Sequence, residues 1–298
     1  MGKLLRLHGV SLTDTTAPKI ITRDKIESAG SLMLFDGNHQ FSQFSGLPGS
    51  GADIPNALSN IAAGLLGVGE VQTAMKVIAV SADSPTLFKK ERTLKGGIHG
   101  IVTQSGAQAS AQMYFMCASD SIRNYVRDNP THTFYFSLWQ RITRKALASP
   151  ASQAPFYFTN GVSATTNYRF HMQGGQPFPS ATSPSVWRGS KVDPAASDKD
   201  VANDTNRFTS LAVQGNSGNG PVGTDPIALG VGTYSAWNAL NYNVGASRII
   251  YRAYIEDLTV SGRTYAEVEA IDYALYQEAF APGGKFYGDT YTAPSTLP

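Results

Sequence analysis

The chain has 298 residues and a formal net charge of only +2 at pH 7, with 15% of its residues charged. In soluble proteins about a quarter of the residues are charged, so this chain is poor in charge. With a net charge of only +2, no basic patch for nucleic acid or an anionic membrane is expected. Cys117 is the single cysteine, which excludes an intramolecular disulfide and a cysteine-based metal site. Low charge suits a turn-rich sheet protein, and also a subunit that covers its surface with neighbours, because burying charge is costly.

The first residues show no pattern typical of a targeting segment. Charged residues interrupt the apolar run of residues 1–10, no small-residue cleavage site follows, and Arg6 stands where a myristoylation motif needs Ser or Thr. No apolar run approaches membrane-spanning length. We therefore expect a product that stays in a reducing cytoplasm or leaves it by lysis. Residues 1–30 are interpreted as an N-terminal arm that pairs with a neighbour's sheet or crosses its own.

Alternation of apolar and polar residues with a period of two, which is typical of strands, recurs along the chain. It is clearest at residues 131–142, where Phe134, Phe136 and Leu138 share one face, and at residues 248–256. Strands are predicted at residues 31–38, 75–80, 96–102, 112–118, 131–142, 155–159, 167–172, 208–213, 227–231 and 248–256. The chain is therefore predicted to be mainly β.

Two helices are predicted. A short helix near residues 55–66 has apolar residues at helical spacing and Asp53 as its cap. A C-terminal helix near residues 264–280 begins with Thr264 and Glu267 at the spacing of a capping box. Its apolar stripe consists of Val268, Ile271, Leu275 and Ala279. A late strand followed by one docked helix indicates that most of the preceding chain is sheet.

The domain organisation follows from these elements. Residues 31–281 are interpreted as one β-sandwich domain, which is interrupted by a loop excursion at residues 174–206. The excursion is rich in Pro, Ser, Gly and Asp, which is typical of a segment that is used for interaction or is disordered. Residues 86–94 are polar and charged, and no strand is predicted there. Residues 282–298 are a C-terminal tail, and its residues from Phe286 onward show no packing pattern.

Three segments carry a resemblance to a known family. Residues 32–37 match its entering strand, residues 134–141 its core strand with the pattern Phe-x-Phe-x-x-Trp, and residues 250–258 its closing strand, which leads into residues 264–268. Together they resemble a concanavalin A-like (laminin G-like) jelly-roll domain. The resemblance implies an antiparallel jelly-roll β-sandwich.

The style of the chain also resembles virion proteins of tailed bacteriophages. The shared features are the absence of disulfide-forming cysteines, low charge, long polar loops and extended termini. The resemblance implies a structural subunit, such as a capsid decoration, collar, baseplate or fibre component.

Glu256 and Asp257 are the first candidates for chemistry, because glycosidases of similar sandwich fold use two carboxylates on one strand. Neighbouring residues of a strand point to opposite faces, so these two cannot easily flank one sugar bond. A role as a turn acid or a salt-bridge partner is favoured over catalysis.

Metal and nucleotide sites are weakly supported, and no cofactor is predicted. The histidines share no metal-ligand spacing; they are His8, His39, His99, His132 and His171. The oxygens of Asp36, Asn38 and Asp53 could contact Ca²⁺, but such an ion needs about six ligands, and Asp36 with the following glycine is more simply a turn. The loop glycines Gly46, Gly49 and Gly51 lack the Gly-Lys-Ser/Thr that a phosphate loop requires.

Exposed aromatic residues are the remaining candidates. Trp139 lies in a predicted strand and is expected in the core. The loop-like stretches carry Trp187, Trp237, Tyr234 and Tyr242, which could form a subunit interface or stack on sugar rings. The interface is favoured, because Tyr and Trp are typical interface anchors.

These observations predict a non-enzymatic structural subunit of a phage particle that acts through subunit interfaces. Its expected partners are other virion proteins and copies of itself, with no nucleic acid and no membrane, and its expected location is the virion, assembled in the host cytoplasm. The alternative is a carbohydrate-binding adhesin module for host surface glycans. A glycosidase is the least favoured hypothesis.

Overall fold

The computed structural model describes residues 24–105, 112–129, 131–145, 156–159, 168–172, 190–192, 205–212, 227–232 and 246–298. Over these residues the protein is mainly antiparallel β structure with a few short helices. The strands are β1 (Ser31–Asp36), β2 (Asp53–Ile54), β3 (Met75–Val80), β4 (Phe88–Arg92), β5 (Ile98–Val102), β6 (Met113–Cys117), β7 (Phe134–Arg144), β8 (Phe156–Thr159), β9 (Tyr168–Met172), β10 (Ser190–Val192), β11 (Thr205–Ala212), β12 (Ile227–Gly232) and β13 (Ser247–Asp257).

The helices are fewer and shorter. They are α1 (Ser59–Leu66), α2 (Asp120–Asp128), α3 (Leu258–Ser261) and α4 (Tyr265–Phe280), with 3₁₀ turns at Glu70–Thr73 and Pro294–Thr296. No helix in the described part of the chain combines the length and the apolar character needed to cross a membrane.

The strands form two sheets. One has seven strands in the order β10-β11-β7-β13-β5-β4, with β1 also paired to β13, and the other has six in the order β2-β3-β6-β12-β8-β9. β13 is the centre of the larger sheet: it pairs with β7 on one side, and on the other with β5 and then with β1. β13 is paired along both edges, its Ile250 and Ile255 lie in the main core and its Tyr251 packs with Ala279 and Phe286, so all of its residues are buried.

The main core lies where residues of both sheets meet. Phe134, Phe136 and Leu138 of β7 belong to the same buried apolar cluster as Met116 of β6 and Leu229 of β12. This places the three predicted residues of β7 on one face, as their alternation indicated. The opposite face of β7 carries Tyr135 and Trp139, which belong to other clusters.

The outer face of the larger sheet is covered by α4 and by the residues that follow it. Trp139 and Tyr251 pack there with Ala279 of α4 and with Phe286. A register shift in β13 lies between Ile250 and Arg252. This irregularity lets the consecutive residues 251 and 252 both reach the Trp139 side, whereas strict alternation would have separated them.

The predicted C-terminal helix is confirmed, including its start. Thr264 is the N-cap, and the Thr264 and Glu267 side chains each accept from the other's backbone N–H. Val268 and Ala279 of the predicted stripe are buried, and Ile271 and Leu275 pack beside them. The sequence-based interpretation missed Asp272, which is fully buried on the same side of the helix.

The predicted helix near residues 55–66 is present but begins later, at Ser59, and Asp53 does not cap it. Asp53 instead lies in β2. Asn56 lies between β2 and α1. Its side chain accepts from Leu34 N–H at 2.9 Å and donates to the Leu32 carbonyl at 2.8 Å. A buried amide that pairs with the edge of β1 therefore replaces the expected first turn.

The strands β2, β4 and β10 and the helices α2 and α3 were not predicted. β4 lies within the charged stretch at residues 86–94, and β10 lies within the excursion at residues 174–206. α2 begins at the Ser119 cap and buries Ile122 and Val126 in the main core. The C-terminal residues, which showed no packing pattern, lie along the larger sheet through polar contacts that are distant in sequence, such as Lys95 N–H to Asp289 at 2.8 Å.

Candidate functional site

A group of buried charges lies at the outer face of the larger sheet, beside the end of α4. It consists of Asp24, Asp36, Arg252 and Lys285, called here the charged cluster. The side chain of Arg252 is 1% exposed and that of Asp36 is fully buried. Arg252 donates to both carboxylate oxygens of Asp24, at 2.8 and 2.9 Å, and to Asp36 at 3.0 Å. Lys285 also donates to Asp36.

Each member comes from a different part of the chain. Asp24 precedes the first strand, Asp36 ends β1, Arg252 lies in the middle of β13, and Lys285 follows α4. The pairing of β1 with β13 sets Asp36 directly across from Arg252. The charged cluster therefore joins four segments at one point.

Aromatic residues support the cluster from the side of the sheet. The guanidinium carbon of Arg252 lies 4.7 Å from the centroid of the Trp139 ring, which is a cation–π geometry. Trp139 Nε1 donates to Asp272 at 3.1 Å, and the Tyr135 hydroxyl donates to the other Asp272 oxygen at 3.0 Å. Asp272 thereby links α4 to two neighbouring side chains of β7.

The electrostatics favour the charged forms of Asp24 and Arg252. Burial raises the pKa of Asp24, but the charge of Arg252 and its hydrogen bonds outweigh this, so the pKa falls well below its usual value. Burial lowers the pKa of Arg252, but the attraction of Asp24 and Asp36 raises it by a larger amount, so the net pKa is higher than usual. The pKa of Lys285 is lowered by burial, which its attraction to Asp36 offsets only in part.

This arrangement is suited to holding segments of the chain together. A general acid or base works best with a pKa near the operating pH, whereas Asp24 is held as a carboxylate far below neutral pH. Breaking a buried ion pair from one side leaves an uncompensated charge, which strongly destabilises the fold. We therefore interpret the charged cluster as the point at which the segments around Asp24 and Lys285 are attached to the sheet.

Two clefts lie beside Asp24. The helix-end cleft has a volume of about 480 Å³, and its lining includes Trp139, Arg252, Glu278 and Lys285. The second, called here the acidic cleft, has a volume of about 470 Å³. It is lined by Asp24, Glu27, His39, Phe41, Ala57, Leu58, Ser59, Asn60 and Glu70.

His39 is a neutral group in the acidic cleft at physiological pH. Burial lowers its pKa, against the attraction of Asp36. Its Nδ1 accepts from the backbone N–H of Phe41 at 3.2 Å, which places the ring proton on Nε2. A neutral imidazole does not compensate the carboxylates that share the cleft.

The two adjacent carboxylates of β13 have separate partners. Glu256 accepts from the Tyr254 hydroxyl at 2.8 Å and from Arg263. Asp257 caps α3 and lies 2.6 Å from Nδ1 of His132. Both are fully buried, and each holds a different segment in place, in agreement with the structural role that the sequence favoured.

The three histidines with described side chains have different surroundings. His99 is buried and contacts Glu91 at 2.8 Å and Thr143 at 2.9 Å. His132 contacts Asp257, and His39 lies in the acidic cleft. His8 and the side chain of His171 lie outside the described residues.

The candidate calcium ligands are also separated. Asp36 is bonded to two cations and accepts from the Asn38 backbone N–H at 3.1 Å, while Asp53 lies in β2. Within the described ranges, no group of three or more His, Cys, Asp or Glu is arranged to hold a metal ion. Gly46 and Gly51 adopt positive φ angles in the loop between β1 and β2, which is a turn role.

The aromatic candidates Trp187, Trp237, Tyr234 and Tyr242 lie outside the described residues. Trp139 is fully buried, as its position in a strand predicted.

Sequence reasoning missed the ion pairs of the charged cluster and the buried Asp272, although two signals were present. Arg252 is the single charged residue between Ile249 and Ile255 in a strand that is otherwise apolar or aromatic. Asp272 falls between Ile271 and Leu275 of the apolar stripe of α4. A charged residue inside a buried pattern indicates a buried partner, but it does not say where in the chain that partner lies.

No protein-family model matches this chain, and a comparison with curated proteins finds no significant match.

Proposed function

We propose that this protein is a non-enzymatic structural subunit of a phage particle, built on a jelly-roll β-sandwich and acting as a homo-oligomer through subunit interfaces. The observation that carries the proposal is that the charged cluster serves to attach segments of the chain to the sheet. Its two carboxylates and two cations are bonded to one another, and they attach the segments at Asp24 and Lys285 to the same sheet.

The architecture supports the jelly-roll assignment at the level of the sheets. Residues of both sheets contribute to one apolar core, as expected for a sandwich. In β3 of the smaller sheet, burial alternates along the strand: Met75 and Val77 are buried, while Lys76 and Ile78 are exposed. The outer side of β3 is therefore open to a neighbour.

The attachment of the segment at Asp24 and Ile26 supports a role in assembly. Ile26 is fully buried, and its carbonyl accepts from Arg263 at 2.7 Å. Asp24 is locked to Arg252 immediately after residues 1–23. The N-terminal segment therefore leaves from a fixed point on the subunit, which is what a segment that reaches an adjacent subunit requires.

The test is the assembly state of the purified protein. We expect light scattering and electron microscopy to show oligomers or particles for the full chain, and a shift toward monomer when residues 1–23 are deleted. A chain in which a Gly/Ser-rich sequence of equal length replaces residues 1–23 controls for length. The proposal would be contradicted if the full chain remained monomeric and if particles still assembled normally after removal of its gene.

A further inference from the structure

The contact between Lys285 and Asp36 places an amine against a carboxyl group inside the charged cluster. Lys285 Nζ donates directly to Asp36 Oδ2. The Asp36 side chain is fully buried, and that of Lys285 is 33% exposed. The two residues are 249 positions apart in the chain, so their contact connects the end of β1 to the segment that follows α4.

Two aromatic rings lie beside the amine. Lys285 Nζ is 5.7 Å from the centroid of the Trp139 ring and 5.0 Å from that of the Phe286 ring, and both aromatic residues are fully buried. Burial lowers the pKa of Lys285, which increases the fraction of the amine that is neutral. A neutral lysine amine in apolar surroundings is a nucleophile, whereas a hydrated ammonium group is not.

Both oxygens of Asp36 are held by donors. Oδ1 accepts from the backbone N–H of Asn38 at 3.1 Å, and Oδ2 accepts from Arg252 at 3.0 Å as well as from Lys285. The donor to Oδ1 is placed to stabilise the negative charge that develops there when the carboxyl carbon is attacked. The positive charge beside Oδ2 assists the departure of that oxygen. These placements suit acyl transfer to an amine.

We propose that Lys285 and Asp36 form an isopeptide bond, which is an amide between Lys285 Nζ and Asp36 Cγ. The N–C bond forms, and the bond between Cγ and Oδ2 breaks. Two protons of the ammonium group leave with Oδ2 as one water molecule, so the step needs no oxidant, reductant or further reactant. The helix-end cleft, which Lys285 lines, gives this water a path to solvent.

The charge balance of the cluster favours the bonded form. Before the step, two carboxylates and two cations lie together. After it, Arg252 and Asp24 remain as one ion pair, and the desolvation cost of the other two charges is removed. Contact between the reacting groups also replaces a bimolecular encounter, and this advantage reaches about 10⁵–10⁸ M in effective concentration for well-oriented groups.

Mass spectrometry of the purified full chain tests the bond. We expect the denatured protein to be lighter than the mass calculated for its chain by one water molecule. Trypsin does not cut after an acylated lysine, so the digest should contain residues 26–76 linked to residues 264–298. Fragmentation should locate the link at Asp36 and Lys285. The exposed pair of Lys25 and Glu278 is the internal control, and cleavage after Lys25 should be normal.

Lys285→Arg separates the bond from the ion pair. Arginine keeps the positive charge, but its guanidinium group is not deprotonated in proteins and does not act as a nucleophile. We therefore expect this variant to have the full calculated mass and to release residues 26–76 and 264–285 as separate peptides. It should also unfold at a lower temperature than the wild type, because the covalent link constrains the unfolded chain.

Two results would overturn the proposal. One is a wild-type protein of full calculated mass whose digest yields the two peptides unlinked. The other is a loss of water confined to residues 26–76, because Asp36 followed by Gly37 also loses water when it forms a succinimide with its own backbone, and that product would persist in Lys285→Arg. If the variant does not fold, the wild-type digest decides alone, since it detects the linked peptides directly.

Discussion

Asp24 and Arg252 lie 228 residues apart in the chain, yet they form a two-point ion pair in which each of the two terminal guanidinium nitrogens contacts one carboxylate oxygen. A parallel double contact of this kind is the strongest form of charge-assisted hydrogen bonding in proteins. Arg252 uses the same side chain to hold Asp36, so one residue in the middle of β13 positions two distant acids. The stability of the fold should therefore depend on this residue more than on exposed charged residues.

Replacing Arg252 with Met should be strongly destabilising. It leaves two buried carboxylates without their main partner, and breaking a buried pair from one side costs about 3–5 kcal/mol. Urea unfolding followed by circular dichroism measures the change. The matched control is Arg127→Met, which removes an ion pair whose side chains are 24% and 50% exposed and should cost less than about 1 kcal/mol. Similar losses for the two variants would contradict the role assigned to Arg252.

Asp272 should matter through its two acceptor oxygens. Asp272→Ala leaves the Trp139 Nε1 and the Tyr135 hydroxyl without this acceptor, and a buried donor without a partner costs about 1–3 kcal/mol. Asp272→Asn keeps one carbonyl oxygen and should lose less. Thermal unfolding of both variants gives the comparison, with exposed Glu278→Gln on the same helix as the control. An asparagine variant less stable than the alanine variant would argue against hydrogen bonding as the cause.

The attachment of the C-terminal residues should weaken in acid. Burial raises the pKa of Glu91, but hydrogen bonds from His99 and Thr292 outweigh this and lower it from 4.5 to about 2. Because the pKa is depressed in the folded state, the stabilisation is complete above about pH 4.5 and is lost as the pH falls toward 2. The expected loss is about 1–2 kcal/mol, since the side chain is 29% exposed and partly screened.

Glu91→Gln isolates this effect, because glutamine has a similar shape and does not titrate. The difference in unfolding free energy between wild type and variant should shrink across the same pH window. Hydrogen exchange at the Thr292 amide, which donates to Glu91 at 2.6 Å, reports the attachment directly. A difference that stays constant with pH would show that Glu91 does not supply the pH dependence.

Gly37 should tolerate no side chain. A Cβ at Gly37 would lie 1.9 Å from the Gly96 carbonyl oxygen, so the turns after β1 and β4 would have to move apart. Gly37→Ala should destabilise by about 1–3 kcal/mol. Gly64→Ala is the matched control, because Gly64 lies in α1 with open space around it and should gain about 0.5–1 kcal/mol in helix propensity. Thermal unfolding of the pair checks both signs, and a neutral Gly37→Ala would place the close approach in doubt.

The sequence predicted the elements whose signals are local. Thr264 and Glu267 predicted the start of α4 because both partners of a capping box lie within one turn. The alternation around Phe136 predicted both faces of β7 for the same reason. The prediction failed at Asp53, which pairs in β2 instead of capping a helix, because the partners of Asn56 in β1 were not visible in the sequence nearby.

The sequence by itself determined the mainly β composition, the alternating strands and the capped late helix, because these depend on residues within a few positions of one another. Only the tertiary structure decided that Arg252 meets Asp24, Asp36 and Trp139, and that the unpatterned C-terminal residues lie along the larger sheet. Ion pairs and hydrogen bonds between distant segments have no fixed spacing in sequence. They form when strand pairing brings the segments together, and the buried environment then makes each partner necessary to the other.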